Sequence, residues 1–205
     1  MILNQSIQFA GGEAQDLLIK SLSTGRFALK TGEHLLTKSQ RYQIIRKVYS
    51  SPEIDLAKKT EYLTTEMAID YSDIDELQKI KCLACLPDDE NKASLWKNYI
   101  EKTKFSQEQF AYSSSSFFNP DNQEQSLHYA DLFFQNIEAV KQKYHRDYGQ
   151  HFFHNLSPTF LGRPEHLQKF REIQERTEKE GTDTHFLKLL SNEIEKLEEI
   201  LSFKE

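Results

Sequence analysis

The stretch Cys82–Tyr99, CLACLPDDENKASLWKNY, decides the fold of this 205-residue chain. An apolar helical face ends at Pro87, and after a short polar link a second apolar face returns around Trp96. Because proline stops a helix and a short link forces the next helix to run back, the stretch predicts an αα-hairpin. The flanking sequence repeats this plan in both directions.

Helix start signals recur along the chain. Serine, threonine, asparagine and aspartate accept hydrogen bonds from the first free amides of a helix, and proline is favoured in its first turn. Five such signals stand at Ser51–Pro52, Ser72 with Asp75, Asp88, Ser106 with Gln109, and Asn119–Pro120. Pro164 opens a further helix, Gly181 ends it, and Thr182 is placed to cap the last one.

Apolar residues at helical spacing fill the intervals between these signals. The spacing predicts helices over 13–22, 40–49, 52–69, 72–85 and 186–201, with Ile74, Leu77, Ile80, Leu83 and Ala84 as the buried stripe of the fourth. From Leu127 the pattern continues to Leu156, with a bend or a tolerated glycine at Gly149. Gly25 and Gly32 flank a loosely patterned connection, and nothing alternates with period two for long enough to predict a strand.

The fold class follows from these helices. Most are about 12 to 18 residues long and are joined by short turns, which makes neighbours antiparallel. Successive pairs recur at close to the ~40 residues of HEAT-like repeats. The sequence therefore predicts one all-α domain over residues 1–205, in which antiparallel helix pairs stack as a HEAT-like α-solenoid.

The charge argues against a nucleic-acid partner. Lys and Arg number 26 against 32 Asp and Glu, for a net charge of −6 that is interspersed along the helices. Affinity for nucleic acid depends on clustered cations that replace the counterions of the phosphates. We therefore expect no nucleic acid among the partners of this chain.

The sequence also argues against a membrane partner. No apolar run approaches the roughly 20 residues that span a bilayer. Met1–Gly12 lacks a basic segment before an apolar one, so we do not interpret it as a signal peptide, and its abrupt start is that expected of a fragment. Two cysteines exclude a disulfide framework and suit a reducing compartment. We expect a cytoplasmic location.

The histidine cluster is the first candidate for chemistry. His151 and His154 are three residues apart, with His145 upstream. The zinc-protease signature H-E-x-x-H needs four-residue spacing and an intervening glutamate, and the residues enclosed here are phenylalanines. We interpret these histidines as surface or interfacial residues, and an unrelated enzyme that uses His151 and His154 stays a third hypothesis.

The remaining constellations also favour structural roles. Cys82 and Cys85 have C-x-x-C spacing but lie late in a helix, where no dipole activates a thiol, so we interpret them as half-buried structural thiols. Ser113–Ser116 fits a helix end and loop better than a phosphorylated linker. The carboxylates of Asp88, Asp89, Glu193, Glu195, Glu198 and Glu199 fit helix starts and solvated faces. We therefore predict no catalytic, cofactor-binding or metal-ligating residue in this chain.

Three segments in order carry a resemblance: KCLACLPDDENKASLWKNYI (81–100), FSQEQFAYSSSSFFNPDNQE (105–124) and YADLFFQNIEAVKQKYHRDYGQHFFHNLSP (129–158). They resemble the C-terminal helical domain of the aminopeptidase N type of zinc metallopeptidases, a group that includes the puromycin-sensitive and endoplasmic-reticulum aminopeptidases. The likeness covers roughly residues 40 to 203. It depends on packing residues, listed here as Leu95, Trp96, Phe117, Phe118, Asn119, Pro120, Tyr129, Phe133, Phe134 and the closing helix from Phe186 to Leu201.

The resemblance implies an α-solenoid that closes over a catalytic domain of the same polypeptide and limits which peptides reach the zinc. In the family, H-E-x-x-H with a distal glutamate and G-x-M-E-N lie in a preceding thermolysin-like domain, and neither motif occurs here. The resemblance thus implies a catalytically silent piece without a cofactor, whose parent enzyme uses zinc to remove N-terminal residues from peptide substrates.

Two hypotheses of different classes follow. The first is this aminopeptidase domain, and the second is a free-standing HEAT-like scaffold that binds a protein partner along its concave face. The first predicts an apolar face that the missing domain would cover, with Tyr112, Phe117 and Phe118 as candidates.

Overall fold

The computed structural model describes residues 13–29, 32–101, 104–119, 122–143, 146–181 and 183–203. The chain divides into two compact units, Met1–Ala93 and Ser94–Glu205. Some of the sequence predictions concern residues outside the described ranges: the start at Met1–Gly12, Pro120, His145 and Thr182. The described part is mostly helical, as the sequence predicts, and the expectation of a single domain stays a prediction.

The first unit begins with a helix and a two-stranded hairpin, and further helices follow. Its elements are α1 (Glu13–Thr24), β1 (Arg26–Leu29), β2 (Gly32–Leu35), α2 (Lys38–Ser50), α3 (Leu56–Ile69) and α4 (Asp73–Cys85). The next helix, α5 (Asp89–Glu101), runs through the boundary between the units.

In its described residues the second unit has helices and connecting turns and no strand. Its elements are α6 (Gln107–Ser114), α7 (Gln123–Lys143), α8 (Arg146–Leu156), a 3₁₀ helix (Pro158–Leu161), α9 (Pro164–Glu180) and α10 (Thr184–Ser202). Helix α9 begins at the predicted Pro164 and is followed by Gly181, whose φ of +71° is the left-handed conformation that glycine accommodates at helix ends.

The stretch Cys82–Tyr99 forms two helices joined by a short turn, α4 and α5, as predicted, and their antiparallel packing as an αα-hairpin stays a prediction. Oδ1 of Asp88 accepts the N–H of Asn91 at 2.7 Å, which caps the start of α5. From the first turn of α5, the side chain of Asn91 donates to the carbonyl of Leu83 at 3.0 Å, and Nζ of Lys92 donates to that of Ala84 at 2.7 Å. These two side-chain bonds supply donors to carbonyls at the end of α4, and the carbonyl of Leu83 also accepts the N–H of Leu86 at 3.3 Å.

Two capping boxes also form where the sequence predicts them. Ser72 and Asp75 exchange side-chain and backbone hydrogen bonds at the start of α4, and Ser106 and Gln109 do the same at the start of α6. Each box satisfies amides that have no partner within the helix.

Two of the predicted starts are wrong. Ser51 caps the end of α2 instead of starting α3, and Asp55 accepts the N–H of Lys58 at 2.8 Å three residues further on. Similarly, α7 begins after Asn122, whose Oδ1 accepts from Gln125 N, and not after Asn119. In both cases a second capping residue lies a few positions downstream, and the spacing alone does not choose between them. Asp183, next to the predicted Thr182, caps α10 by accepting from Phe186 N.

The hairpin β1–β2 corrects the expectation that the chain has no strand. Its pairs run antiparallel from Arg26 opposite Leu35 to Leu29 opposite Gly32. Each strand has four residues, and every side chain of β2 is exposed, so no buried alternation is present for the sequence to reveal. Phe27 of β1 packs against a small cluster of Leu18, Leu36 and Ile44.

The continuous helical pattern predicted from Leu127 to Leu156 corresponds to two helices. Helix α7 ends at Lys143 and α8 begins at Arg146, so the pattern does not bend at Gly149, which lies inside α8. A Cβ built on Gly149 would meet no atom within 4 Å. This glycine is therefore tolerated in the helix, the second of the two outcomes expected for it.

Helix α2 is central to the first unit, where it packs against α1, α3 and α4. Tyr42, Ile45 and Tyr49 of α2 form a buried cluster with Leu63 of α3 and Cys82 of α4.

The buried face of α4 agrees with the predicted stripe only in part: Ala84 is buried as predicted, and Leu77 and Ile80 are half-buried. Asp75, Cys82 and Ala84 are buried, whereas Ile74 and Leu83 are 59% and 39% exposed. A carboxylate occupies the interior position because hydrogen-bond donors surround it there, and a count of apolar residues cannot reveal such donors.

Aromatic rings form much of the core of the second unit. Phe133 of α7 stacks on Phe152 of α8 with ring centroids 5.6 Å apart, and Phe110 of α6 stacks on Tyr148 at 4.0 Å. Trp96 contacts rings from further elements of the same unit. Aromatic side chains bury large areas, so this cluster dominates the packing of the unit.

Candidate functional site

A cavity of about 380 Å³ lies in the second unit, between α7, α8 and the start of α10. Six apolar side chains form its walls: Ile137, Val140, Phe152, Phe153, Phe186 and Leu189. Phe152 and Phe153 are part of the aromatic core, and Phe153 meets Phe186 edge to face at 5.7 Å. Neighbouring rings hold these walls in place, so the cavity is preformed.

Polar groups line the rest of the cavity. They come from the end of α7, the first turns of α8 and the start of α10: Lys141, Arg146, Gln150, Asp183, Thr184 and His185. The cavity thus combines apolar walls with an equal number of polar side chains. Small-molecule sites also join apolar walls to convergent polar groups, and they occupy roughly 300 to 1,000 Å³. The cavity is therefore at the small end of this range.

The charges at the cavity are partly balanced. Nζ of Lys141 lies 3.6 Å from Oδ2 of Asp183 and 4.4 Å from the ring centroid of Phe186. Oδ1 of Asp183 also caps α10 by accepting Phe186 N–H at 2.9 Å. Arg146, at the first position of α8, is exposed and has no ion-pair partner among the described residues. Within the part of the chain that the structure describes, the positive charge of Arg146 at the cavity thus has no compensating carboxylate.

A buried polar network in the first unit is the second candidate. The carboxylate of Asp75 is fully buried and accepts from Tyr42, from Lys38 Nζ at 2.9 Å, and from the backbone N–H and hydroxyl of Ser72 at 2.6 and 2.7 Å. Beside it, Nε of Arg41 donates to both oxygens of Glu66, at 2.9 and 2.8 Å.

The pKa directions in this network indicate a structural role. Burial by itself would raise the pKa of Asp75, but the hydrogen bonds from Tyr42, Lys38 and Ser72 outweigh it and hold the pKa well below its usual range. Burial and the bond to Asp75 raise the pKa of Tyr42. A carboxylate held ionised and a phenol held protonated exchange no proton near neutral pH, so the network stabilises the packing of α2 on α4.

Cys82 and Cys85 lie in the last turns of α4, as predicted, and are not joined by a disulfide. Cys82 is buried and Cys85 half-buried, and burial raises the pKa of the Cys82 thiol. Lys92 is buried beside the end of the same helix, and burial lowers its pKa to about 8. Its bond to the carbonyl of Ala84 gives this lysine a capping role.

Two of the three histidines named from the sequence lie in the described part of the chain. His151 is half-buried and His154 exposed, both on α8. Within the residues that the structure describes, no three His, Cys, Asp or Glu side chains come together as metal ligands. His185 lines the cavity, but the sequence pattern does not single it out, since no second ligand stands at a spacing typical of a metal site.

The serine run is the predicted helix end: Ser113 and Ser114 are buried in the last turn of α6, and Ser115 caps it. The prediction of a solvated face is wrong for Glu193, which is buried and accepts from Thr159 at 3.1 Å and from Lys196 at 2.6 Å. These donors, one of them outside α10, account for its burial.

The candidates for an exposed apolar face are largely wrong. Phe117 is 1% exposed because it packs against Trp96 and Tyr129, and Tyr112 and Phe118 are half-buried. Large exposed apolar side chains occur instead near the turn between α3 and α4: Ile69, Tyr71 and Ile74.

Comparison of the chain with models of known protein families gives no match, and comparison with curated proteins gives none either. Among the described residues, no helix is both long enough and apolar enough to cross a membrane.

Proposed function

We propose that this chain is a non-catalytic helical domain of the kind found at the C-terminus of aminopeptidase N-type zinc metallopeptidases. In this role it covers the catalytic domain of its own polypeptide and limits which peptides reach the zinc. The proposal assigns the zinc and the hydrolytic residues to a preceding domain.

The packing of the residues that carry the resemblance is the main support. Trp96, Phe117 and Tyr129 come from three separate sequence segments and meet in one cluster, with ring centroids 4.8 to 5.7 Å apart. Phe133 and Phe134 of the third segment contact Phe170. Residues that recur in a family for packing reasons are expected to touch, and these do.

The order of helix contacts agrees with the proposed HEAT-like stack. Besides neighbours in sequence, some helices that are two positions apart pack together: α2 with α4 in the first unit, and α6 with α8 and α8 with α10 in the second. Stacked helix pairs produce this pattern, because each helix then lies beside its counterpart in the next pair. A curved stack provides a wall that excludes water and long substrates from a reaction centre.

The experiment compares two proteins in zinc-containing buffer, using aminoacyl fluorogenic substrates. One is the 205-residue chain, and the other is a longer chain that includes the native upstream coding sequence. We expect hydrolysis only from the longer protein, with about one zinc per chain by metal analysis. Absence of both hydrolysis and zinc from the longer protein would rule out the proposal.

A second comparison tests the covering role itself. In the longer protein, Trp96→Ala removes the ring at the centre of the cluster, and Lys97→Ala changes an exposed neighbour as the control. We expect Trp96→Ala to alter kcat/KM for a ten-residue peptide relative to an aminoacyl substrate, and Lys97→Ala to leave this ratio unchanged.

The alternative, a free-standing scaffold that binds a protein partner, is favoured by the exposed Ile69, Tyr71 and Ile74. It predicts that no zinc motif precedes Met1 in the coding sequence. In both cases we propose a reducing, cytoplasmic location, which suits the reduced thiols of Cys82 and Cys85.

A further inference from the structure

We propose that the cavity of the second unit binds a small amphipathic monoanion, with an aromatic or hydrocarbon body in the cavity and a single carboxylate-like group at Arg146. This inference depends on the cavity alone and stands or falls independently of the aminopeptidase proposal.

The walls select the body of the ligand. Three of the six apolar residues that line the cavity are the phenylalanines Phe152, Phe153 and Phe186. Phe152 and Phe153 are almost fully buried and contact Phe133, so the side of the cavity that they form is rigid. Aromatic rings favour edge-to-face and offset contacts with another ring, and a flat apolar body satisfies this preference.

The charges select an anionic head. Lys141 and Asp183 are occupied with each other, and Asp183 in addition caps α10. This leaves the guanidinium of Arg146 as the cavity's uncompensated charge among the described residues. A guanidinium presents parallel N–H donors that match the two oxygens of a carboxylate.

The single uncompensated charge of Arg146 also limits the net charge that the ligand can carry. A monoanion neutralises Arg146, whereas a second negative charge on the ligand would lie close to the carboxylate of Asp183. A cationic ligand would meet Arg146 and Lys141 without a free carboxylate to pair with. The volume of about 380 Å³ excludes a folded partner.

Three probes that share one body test the choice of head group. They are 4-phenylbutyrate, 4-phenylbutanol and 4-phenylbutylamine, titrated into the 205-residue chain by isothermal titration calorimetry. We expect 4-phenylbutyrate to bind, the alcohol to bind about tenfold more weakly because it lacks the charge-assisted hydrogen bond, and the amine to bind more weakly still.

Two variants separate the head from the body. Arg146→Gln removes the exposed guanidinium and should weaken 4-phenylbutyrate about tenfold while leaving 4-phenylbutanol unchanged. Gly149→Leu places a side chain in the cavity from a helical position with open space around it, and should abolish binding of both. Arg171→Gln makes the same charge change on α9, outside the cavity, and should alter neither.

Thermal unfolding followed by circular dichroism checks that each variant is folded. The proposal is overturned if 4-phenylbutyrate does not bind at millimolar concentration, or if the three probes bind equally. It is also overturned if Arg146→Gln and Arg171→Gln have the same effect, or if a folded Gly149→Leu protein still binds 4-phenylbutyrate.

Discussion

Tyr42 donates its hydroxyl hydrogen to Oδ1 of Asp75, and this buried bond joins α2 to α4 in the first unit. The second oxygen of the carboxylate accepts from Lys38 and from Ser72. Because a buried charge is stable only when donors surround it, this network determines which face of α4 lies against α2.

Tyr42→Phe should destabilise the protein by about 1.5 to 3 kcal/mol, the usual contribution of a hydrogen bond to a charged group. The measurement is the free energy of unfolding in urea at pH 7. Tyr62→Phe removes the same hydroxyl from a half-buried tyrosine of α3 and should change this free energy by no more than about 0.5 kcal/mol. Equal effects of the two variants would show that the bond to Asp75 contributes nothing.

The lowered pKa of Asp75 predicts a loss of stability in acid. In the unfolded chain this carboxyl takes up a proton near pH 4, whereas the folded protein resists protonation until lower pH. The stabilisation by the ionised form is therefore complete above about pH 4 and is lost as the pH falls toward the lowered pKa.

Urea unfolding between pH 7 and pH 3 measures this loss. The stability difference between the native protein and Asp75→Asn should shrink below about pH 4. Asp73→Asn, at an exposed position two residues away, should show a small difference without this trend. A difference for Asp75→Asn that is constant with pH would contradict the prediction.

The lowered pKa of Lys92 predicts a second rise of stability with pH, at alkaline pH. Its pKa is about 8 in the fold, below the value of about 10.4 for an unfolded lysine. Between these values the folded protein has released a proton that the unfolded chain still holds, so the contribution of Lys92 to stability rises with pH. Below pH 8 the buried charge destabilises the fold by a constant amount.

Tyrosines and cysteines also titrate at alkaline pH. Comparison of the native protein with Lys92→Met separates the contribution of Lys92 to stability from theirs. The stability of the native protein relative to Lys92→Met should increase from about pH 8 to about pH 10. Lys97→Met changes an exposed lysine of the same helix, and its difference from the native protein should stay flat. If the stability difference between the native protein and Lys92→Met were also independent of pH, Lys92 would have the same protonation state in the folded and the unfolded protein over this pH range.

Gly149→Ala should stabilise the protein by up to about 1 kcal/mol, because glycine is the least favourable residue after proline inside a helix. The added methyl group meets no atom within 4 Å. Gly181→Ala is the matched opposite: its φ of +71° strains any side chain, and we expect a loss of roughly 1 kcal/mol. Urea midpoints for the two variants should therefore move in opposite directions.

The helices could be predicted from the sequence where several local signals agree. At Ser72 and Ser106, a capping residue, its partner three positions on and a following apolar face indicate the same start, and both capping boxes form. At Ser51 and Asn119 the only signal that supports the capping residue is the proline that follows it. In each case a residue further along the chain caps the helix. Tertiary packing determines which of two neighbouring capping residues starts the helix. The sequence alone does not reveal this packing.

The buried charges and the cavity could not be predicted in this way. Asp75 and Glu193 carry the residue type of a solvated face, and their burial depends on donors such as Tyr42 and Thr159 that are distant in sequence. The cavity similarly combines side chains from α7, α8 and α10 without any motif. A sequence pattern shows which residues share one face of a helix. It does not show which side chains of other elements pack against that face.

The link between α4 and α5 has a consequence for how the chain folds. The contacts that close it, from Asp88 to Asn91, from Asn91 to Leu83 and from Lys92 to Ala84, join residues no more than eight positions apart. Closing so short a loop costs little chain entropy, and contacts of low sequence separation form fast. This turn is thus placed to nucleate folding, so that losing the Asn91 side chain slows the folding rate more than it speeds unfolding.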